Sequence, residues 1–66
     1  MIVHLPKATP YGFDNYVPVV NIIRWYADSN SAVTRVEVKD LGTVSTGLYP
    51  EQVAERYRAA FKEHRL

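Results

Sequence analysis

Alternation of apolar and polar positions is cleanest from Val33 to Lys39, where Thr34, Val36 and Val38 fall on one side of an extended chain and Arg35, Glu37 and Lys39 on the other. This pattern predicts an antiparallel strand with one solvated face. Upstream, Val17 to Ala27 carries β-branched and aromatic residues at most positions. Simple alternation puts Val17, Val19, Asn21, Ile23 and Trp25 on one face and Val20, Ile22, Arg24 and Tyr26 on the other, so both faces are expected to be largely buried. Pro18 cannot donate to a ladder and Asn21 interrupts the apolar face. Together they predict two short pieces with a bulge or single turn near Asn21. Asp28-Ser29-Asn30-Ser31 and Asp40-Leu41-Gly42 are turn clusters, and Thr43 to Thr46 returns as a short strand. Residues 17–46 therefore read as a meander of hairpins.

Ile2 to Leu5 is a short apolar run closed by Pro6, expected to form a strand at a sheet edge or a dimer seam. Residues 6–16 hold the turn formers Pro10, Gly12 and Asp14-Asn15, with Tyr11, Phe13 and Tyr16 set among them. These aromatics either tuck the loop against the sheet or present a surface to a partner, and the ordinary burial behaviour of aromatic side chains favours tucking. Pro50 suits the first position of a helix, where its missing N–H costs nothing. Beyond it, Val53, Tyr57, Ala60, Phe61 and His64 form one helical stripe, and neither Gly nor Pro interrupts residues 51–66. On the opposite side stand Glu51, Glu55, Arg58 and Lys62, acidic first and basic last, as the helix dipole prefers. The expected architecture is a single α+β domain spanning 1–66. An antiparallel meander of three to four strands (about 1–5, 17–27, 33–39 and 43–46) and a loop over 6–16 are followed by one amphipathic helix, about 50–64, packed on one face.

At 66 residues, 47% of them hydrophobic, the chain reads as one small folded domain and not as a disordered tail. Eight Lys and Arg against seven Asp and Glu leave a formal charge of +1, so no global field steers the chain toward nucleic acid or an anionic membrane. Without cysteine there is no disulfide, thiolate or zinc-ribbon option, so a domain this small must hold itself up by its core or by association with a partner, and a homo-oligomer is anticipated. The lack of cysteine suits a reducing compartment. Met1-Ile2-Val3-His4-Leu5-Pro6 has no signal-peptide pattern, and the longest apolar region is broken by Pro18, Asn21 and Arg24 before it reaches membrane-span length. The expectation is a soluble, cytoplasmic protein without a membrane partner.

Candidate chemistry is sparse. His4 and His64 are the two imidazoles, and neither has a neighbouring ligand set or base, so they read as a strand residue and a helix-end residue. Asp14, Asp28 and Asp40 sit beside Asn, Ser or Leu-Gly in turns, where they serve the backbone. The serines lack a nucleophile motif, and Gly12, Gly42 and Gly47 are too dispersed to cradle a phosphate. No catalytic, cofactor-binding or metal-binding residue is therefore expected, and the chain reads as non-enzymatic.

Two binding readings remain. One short helix covers one face, yet the chain holds one Trp, five Tyr and two Phe beside its apolar strands. This favours a homodimeric protein-interaction module with Tyr11, Phe13, Tyr16, Trp25 and Tyr26 as contact residues, and the Ile2–Leu5 edge as a route for sheet extension. The alternative is a nucleic-acid-binding regulator. In it, Trp25 or Tyr26 would stack bases while Arg24, Arg35, Arg58 and Lys62, with Arg56 and Arg65 nearby on the helix, contact phosphates. Glu37 between Arg35 and Lys39 and the near-neutral total charge count against it.

The order Val20-Asn21, Ile22 and Trp25, Thr34-Arg35-Val36-Glu37-Val38, Leu41-Gly42 and Glu51-Gln52-Val53 resembles the FlbD-like small flagellar proteins. The first strand and the Pro-Tyr-Gly-Phe loop depart from that pattern. Short strands followed by a helix are also similar to the CsrA family of RNA-binding dimers. Here the Gly-Glu turn after the first strand is missing, and Leu48-Tyr49-Pro50 lacks the basic residue that family places before its helix.

Overall fold

Pairing between the first apolar run and the segment before Pro18 opens the structure. In the computed structural model, which describes residues 1–64, β1 (Ile2–Leu5) runs antiparallel to β2 (Asn15–Pro18), with Val3 opposite Val17 and His4 opposite Tyr16. Strands β3 (Ile22–Ala27), β4 (Thr34–Val38) and β5 (Gly42–Thr46) form a second antiparallel sheet in that order. Helix α1 (Pro50–His64) follows. The α+β class, antiparallel strands and C-terminal helix match the pattern of the chain, with five strands divided between two sheets. The side chain of His64, expected at the end of the helical stripe, and Arg65 lie outside the described residues. Among the described residues no helix is long and apolar enough to cross a membrane.

The expected break near Asn21 is present: Pro18 ends β2, one 3-10 turn spans Val19–Asn21, and Ile22 opens β3. The strand starts earlier than the apolar run does, because Asn15 and Tyr16, expected in the loop, pair with Leu5 and His4. A polar bond outside the hydrophobic pattern accounts for this. The Asp14 carboxylate accepts the Lys7 N–H at 2.8 Å and closes the loop in register with β1.

Burial on both faces of 17–27 is not what the structure shows. Ile22 opposes Val38 and Arg24 opposes Glu37, so Ile23 is one residue too many and bulges out, 63% exposed. The extra residue resets the alternation. Ile22 and Trp25 turn inward opposite Val38 and Val36, while Arg24 and Tyr26 point out beside Glu37 and Arg35, and Ala27 ends the strand exposed opposite Thr34. Simple alternation had placed Ile22 with Arg24 and Tyr26. On β4 the expected division holds: Thr34, Val36 and Val38 are buried, and Arg35 and Glu37 reach solvent.

Three elements share one core. The two-stranded ribbon and the turn after it contribute Val3, Leu5, Val17 and Val19; the second sheet adds Ile22, Val36 and Val38; α1 adds Val53 and Ala60. Trp25 packs against Tyr57 with ring centroids 5.2 Å apart, and Tyr57 against Phe61 at 5.6 Å. The helical stripe thus faces the core, and Glu51, Glu55, Arg58 and Lys62 are exposed. Burying a Val or Leu side chain contributes about 1.5–3 kcal/mol each, so this shared core is the main cohesive term.

Hydrogen bonds tie the sheets together at both ends. The Pro6 carbonyl accepts Thr46 Oγ1–H at 2.8 Å and the Gly47 N–H at 3.3 Å. A Cβ on Gly47 would lie 3.2 Å from the Lys7 carbonyl oxygen, so glycine permits the close approach there. Thr34 and Thr46 are buried opposite one another, and the Thr34 hydroxyl donates to Leu48 O at 2.6 Å, so neither side chain is buried without a partner. At the other end the Val19 N–H donates to Met1 O at 2.8 Å and the Lys39 N–H to Asn21 O at 2.7 Å.

Candidate interaction surface

The β1–β2 loop is held by its own polar bonds. Besides the Lys7–Asp14 link, the Gly12 N–H donates to Thr9 O at 3.1 Å and the Asn15 side-chain amide to Phe13 O at 3.3 Å. The inward face of the ribbon is already occupied by Val3, Leu5 and Val17. The tucked arrangement of the loop aromatics is therefore not adopted: Tyr11 is 94% exposed and Phe13 84%. Tyr16 shares the outer face of the ribbon with His4 because the two are paired in register, and their rings stack at 4.7 Å and 12°.

His4 Nε2 is shielded from solvent and lies 3.4 Å from Asp14 Oδ2, a contact without hydrogen-bond geometry. The Asp14 carboxyl is held below the usual carboxylate range, chiefly by the Lys7 N–H and further by His4. On the other side of His4, its carbonyl accepts Arg56 Nη1–H at 2.9 Å.

The five aromatic candidates do not form one surface. Tyr11, Phe13 and Tyr16 belong to the ribbon and its loop, half-buried Trp25 faces α1, and Tyr26 lies on the outer face of the second sheet under Arg24, whose guanidinium carbon is 5.2 Å from the ring centroid. The basic candidates are divided as well. Arg24 Nε meets Glu37 Oε2 at 2.6 Å, and Arg35 Nε and Nη2 each lie 2.9 Å from Asp28 Oδ2. Asp28 Oδ1 accepts the Asn30 N–H at 2.8 Å; that bond first, and Arg35 second, hold its carboxyl below the usual range. Both cations on the sheet are thus matched by carboxylates. Arg58 and Lys62 stand apart, on the outward face of α1. Among the described residues no group of three His, Cys, Asp or Glu could hold a metal ion.

A cleft of about 460 Å³ separates the loop from the second sheet, with Thr9, Gly12 and Phe13 on one wall and Val33, Arg35 and Ser45 on the other. Arg35 is fixed there by Asp28 and by Nη1 donating to Ser45 Oγ. A smaller hollow of about 200 Å³ shares Ser31 and Val33 with it and extends to Leu48 and Tyr49. Nothing local in the sequence marks this cleft, because its walls are brought together by the Pro6–Thr46 tie across 40 residues. No protein-family model matches the chain, and neither a curated protein nor a solved structure shows significant similarity to it. The two pattern resemblances therefore carry no further weight.

Proposed function

We propose that the chain is a small non-enzymatic protein-interaction module, homodimeric, that makes contact through the β1–β2 loop. The observation that carries this reading is the exposure of Tyr11 and Phe13 on a loop that hydrogen bonds hold in one shape. A few residues carry most of the energy at protein interfaces, with Tyr and Trp enriched among them, and a loop ordered beforehand loses little conformational freedom on binding. The edge of β1, the other candidate route, is less open, because Arg56 already occupies the His4 carbonyl.

Sedimentation equilibrium of the full chain, across micromolar to millimolar concentrations, tests this. The expected result is a dimer that the double substitution Tyr11→Ala, Phe13→Ala converts to a monomer with unchanged far-UV circular dichroism. A wild-type chain that stays monomeric throughout would remove the homodimer. Salt-sensitive oligonucleotide binding that is lost on Arg24→Ala or Arg35→Ala would put nucleic acid in the place of a protein partner.

A further inference from the structure

We propose that the cleft between the β1–β2 loop and the second sheet binds an uncharged ligand in which a small ring or branched aliphatic group carries a carbonyl or similar acceptor. Its apolar surface comes from Phe13, Val33 and Val44. Its polar end is Arg35 and Ser45. A volume of about 460 Å³ falls in the ~300–1,000 Å³ range of small-ligand sites, which pair apolar walls with a few placed polar groups.

Arg35 supplies the recognition. A guanidinium carries five N–H donors. Asp28 Oδ2 takes the Nε–H and meets Nη2, and Ser45 Oγ takes one hydrogen of Nη1, so at least two donors are left without a protein acceptor among the described residues. The same partners fix the side chain, so little rotamer freedom is lost when a ligand arrives. They also set the ligand's charge. The Arg35 cation is matched by the Asp28 carboxylate, which leaves no net charge to favour an ion, while an oriented acceptor still gains a charge-assisted hydrogen bond. An amide meets all three requirements, either as a free small molecule or as a peptide bond beside an apolar side chain of a partner.

The test is an amide-resolved NMR titration of the full chain with benzamide, with benzylammonium as the matched probe that keeps the ring and replaces the acceptor by a cation. Benzamide is expected to give saturable shifts confined to the neighbourhood of Gly12, Phe13, Val33, Arg35 and Ser45. It should bind at least about tenfold more tightly than benzylammonium, the factor expected for one hydrogen bond to a charged donor. Phe13→Ala and Ser45→Ala, both outside the core, should each weaken benzamide severalfold.

Scattered or non-saturating shifts, equal affinity for the two probes, or benzamide binding indifferent to Phe13→Ala would overturn the proposal. N-acetyl-phenylalanine methylamide separates the sources: an affinity more than about tenfold above benzamide supports a peptide, and an equal affinity supports a small molecule. Phe13 serves both readings, so Ser45→Ala separates them: weaker benzamide binding with unchanged sedimentation assigns the effect to the cleft, and unchanged benzamide binding in that variant overturns the proposal whatever the sedimentation result.

Discussion

The two sheets turn different chemistry outward. On the three-stranded sheet Arg24 lies on Glu37 and Arg35 on Asp28, and Tyr26 is capped by Arg24, so the outward cations and the outward tyrosine have neighbours within the fold, and the bulged Ile23 is the exposed aliphatic of β3. On the ribbon, Ile2 and Tyr16 are exposed, and the loop beyond carries Tyr11 and Phe13 with no comparable cover. The difference shows that the abundance of arginine and aromatic residues is not itself evidence for a binding face. What separates the two surfaces is whether each group already has a partner within the fold. By that measure the larger uncovered aromatic surface belongs to the ribbon and its loop.

The contrast holds only if both sheets belong to one cooperative body, and the largest expected effect tests that. Leu5→Ala removes a fully buried side chain of β1 and should cost about 2–5 kcal/mol in denaturant unfolding, through lost transfer energy and the cavity left behind. A single transition for both sheets is expected. A ribbon that melts first would break the comparison. Next in size, Thr46→Val keeps the shape but leaves the Pro6 carbonyl with only the longer Gly47 bond, at a cost of about 1–2 kcal/mol, and should increase hydrogen exchange across residues 7–14. Exchange unchanged in that segment would mean the loop is held without the tie.

A double-mutant cycle on Arg24 and Glu37 should return a coupling of about 0.2–1 kcal/mol, since the arginine is mostly exposed and salt screens the pair. A clearly larger coupling would make the sheet's outer face a structural element in its own right. The last effect is a pH dependence. Asp14 and Asp28 have carboxyls below their ordinary range in the folded chain, so each contributes stability that is present above the unfolded carboxylate value and is lost as pH falls through the lowered folded one. Asp14→Asn should flatten the acid limb through the loop, and Asp28→Asn through the sheet. An acid limb identical in both variants and the wild type would assign the acid sensitivity to other groups.

Much of the fold was legible because it rests on local periodicity. The inward Thr34, Val36 and Val38, the Val53–Phe61 stripe and the break after Pro18 all follow from the spacing of apolar residues and from what proline cannot donate. What escaped depends on one residue or on distant pairs. The bulge at Ile23 inverts the assignment of Ile22, yet isoleucine carries no sign that it will be the unpaired one. The early start of β2 depends on Asp14 reaching Lys7, and the cleft on Thr46 reaching Pro6. The outward placement of Tyr11 and Phe13 follows from the ribbon's interior being filled by aliphatics, a competition for space that composition alone does not display.

The contact between Arg56 and the His4 carbonyl reaches beyond the tie it makes. Met1 offers its carbonyl toward the β2 side, where Val19 takes it, and alternation along the strand sends the His4 carbonyl the opposite way, to the margin of the ribbon. A guanidinium seated on that margin acts as a stopper. An incoming chain seeking to lengthen the ladder at this edge would have to displace that cation, the kind of blunting by which an edge strand resists pairing with other chains.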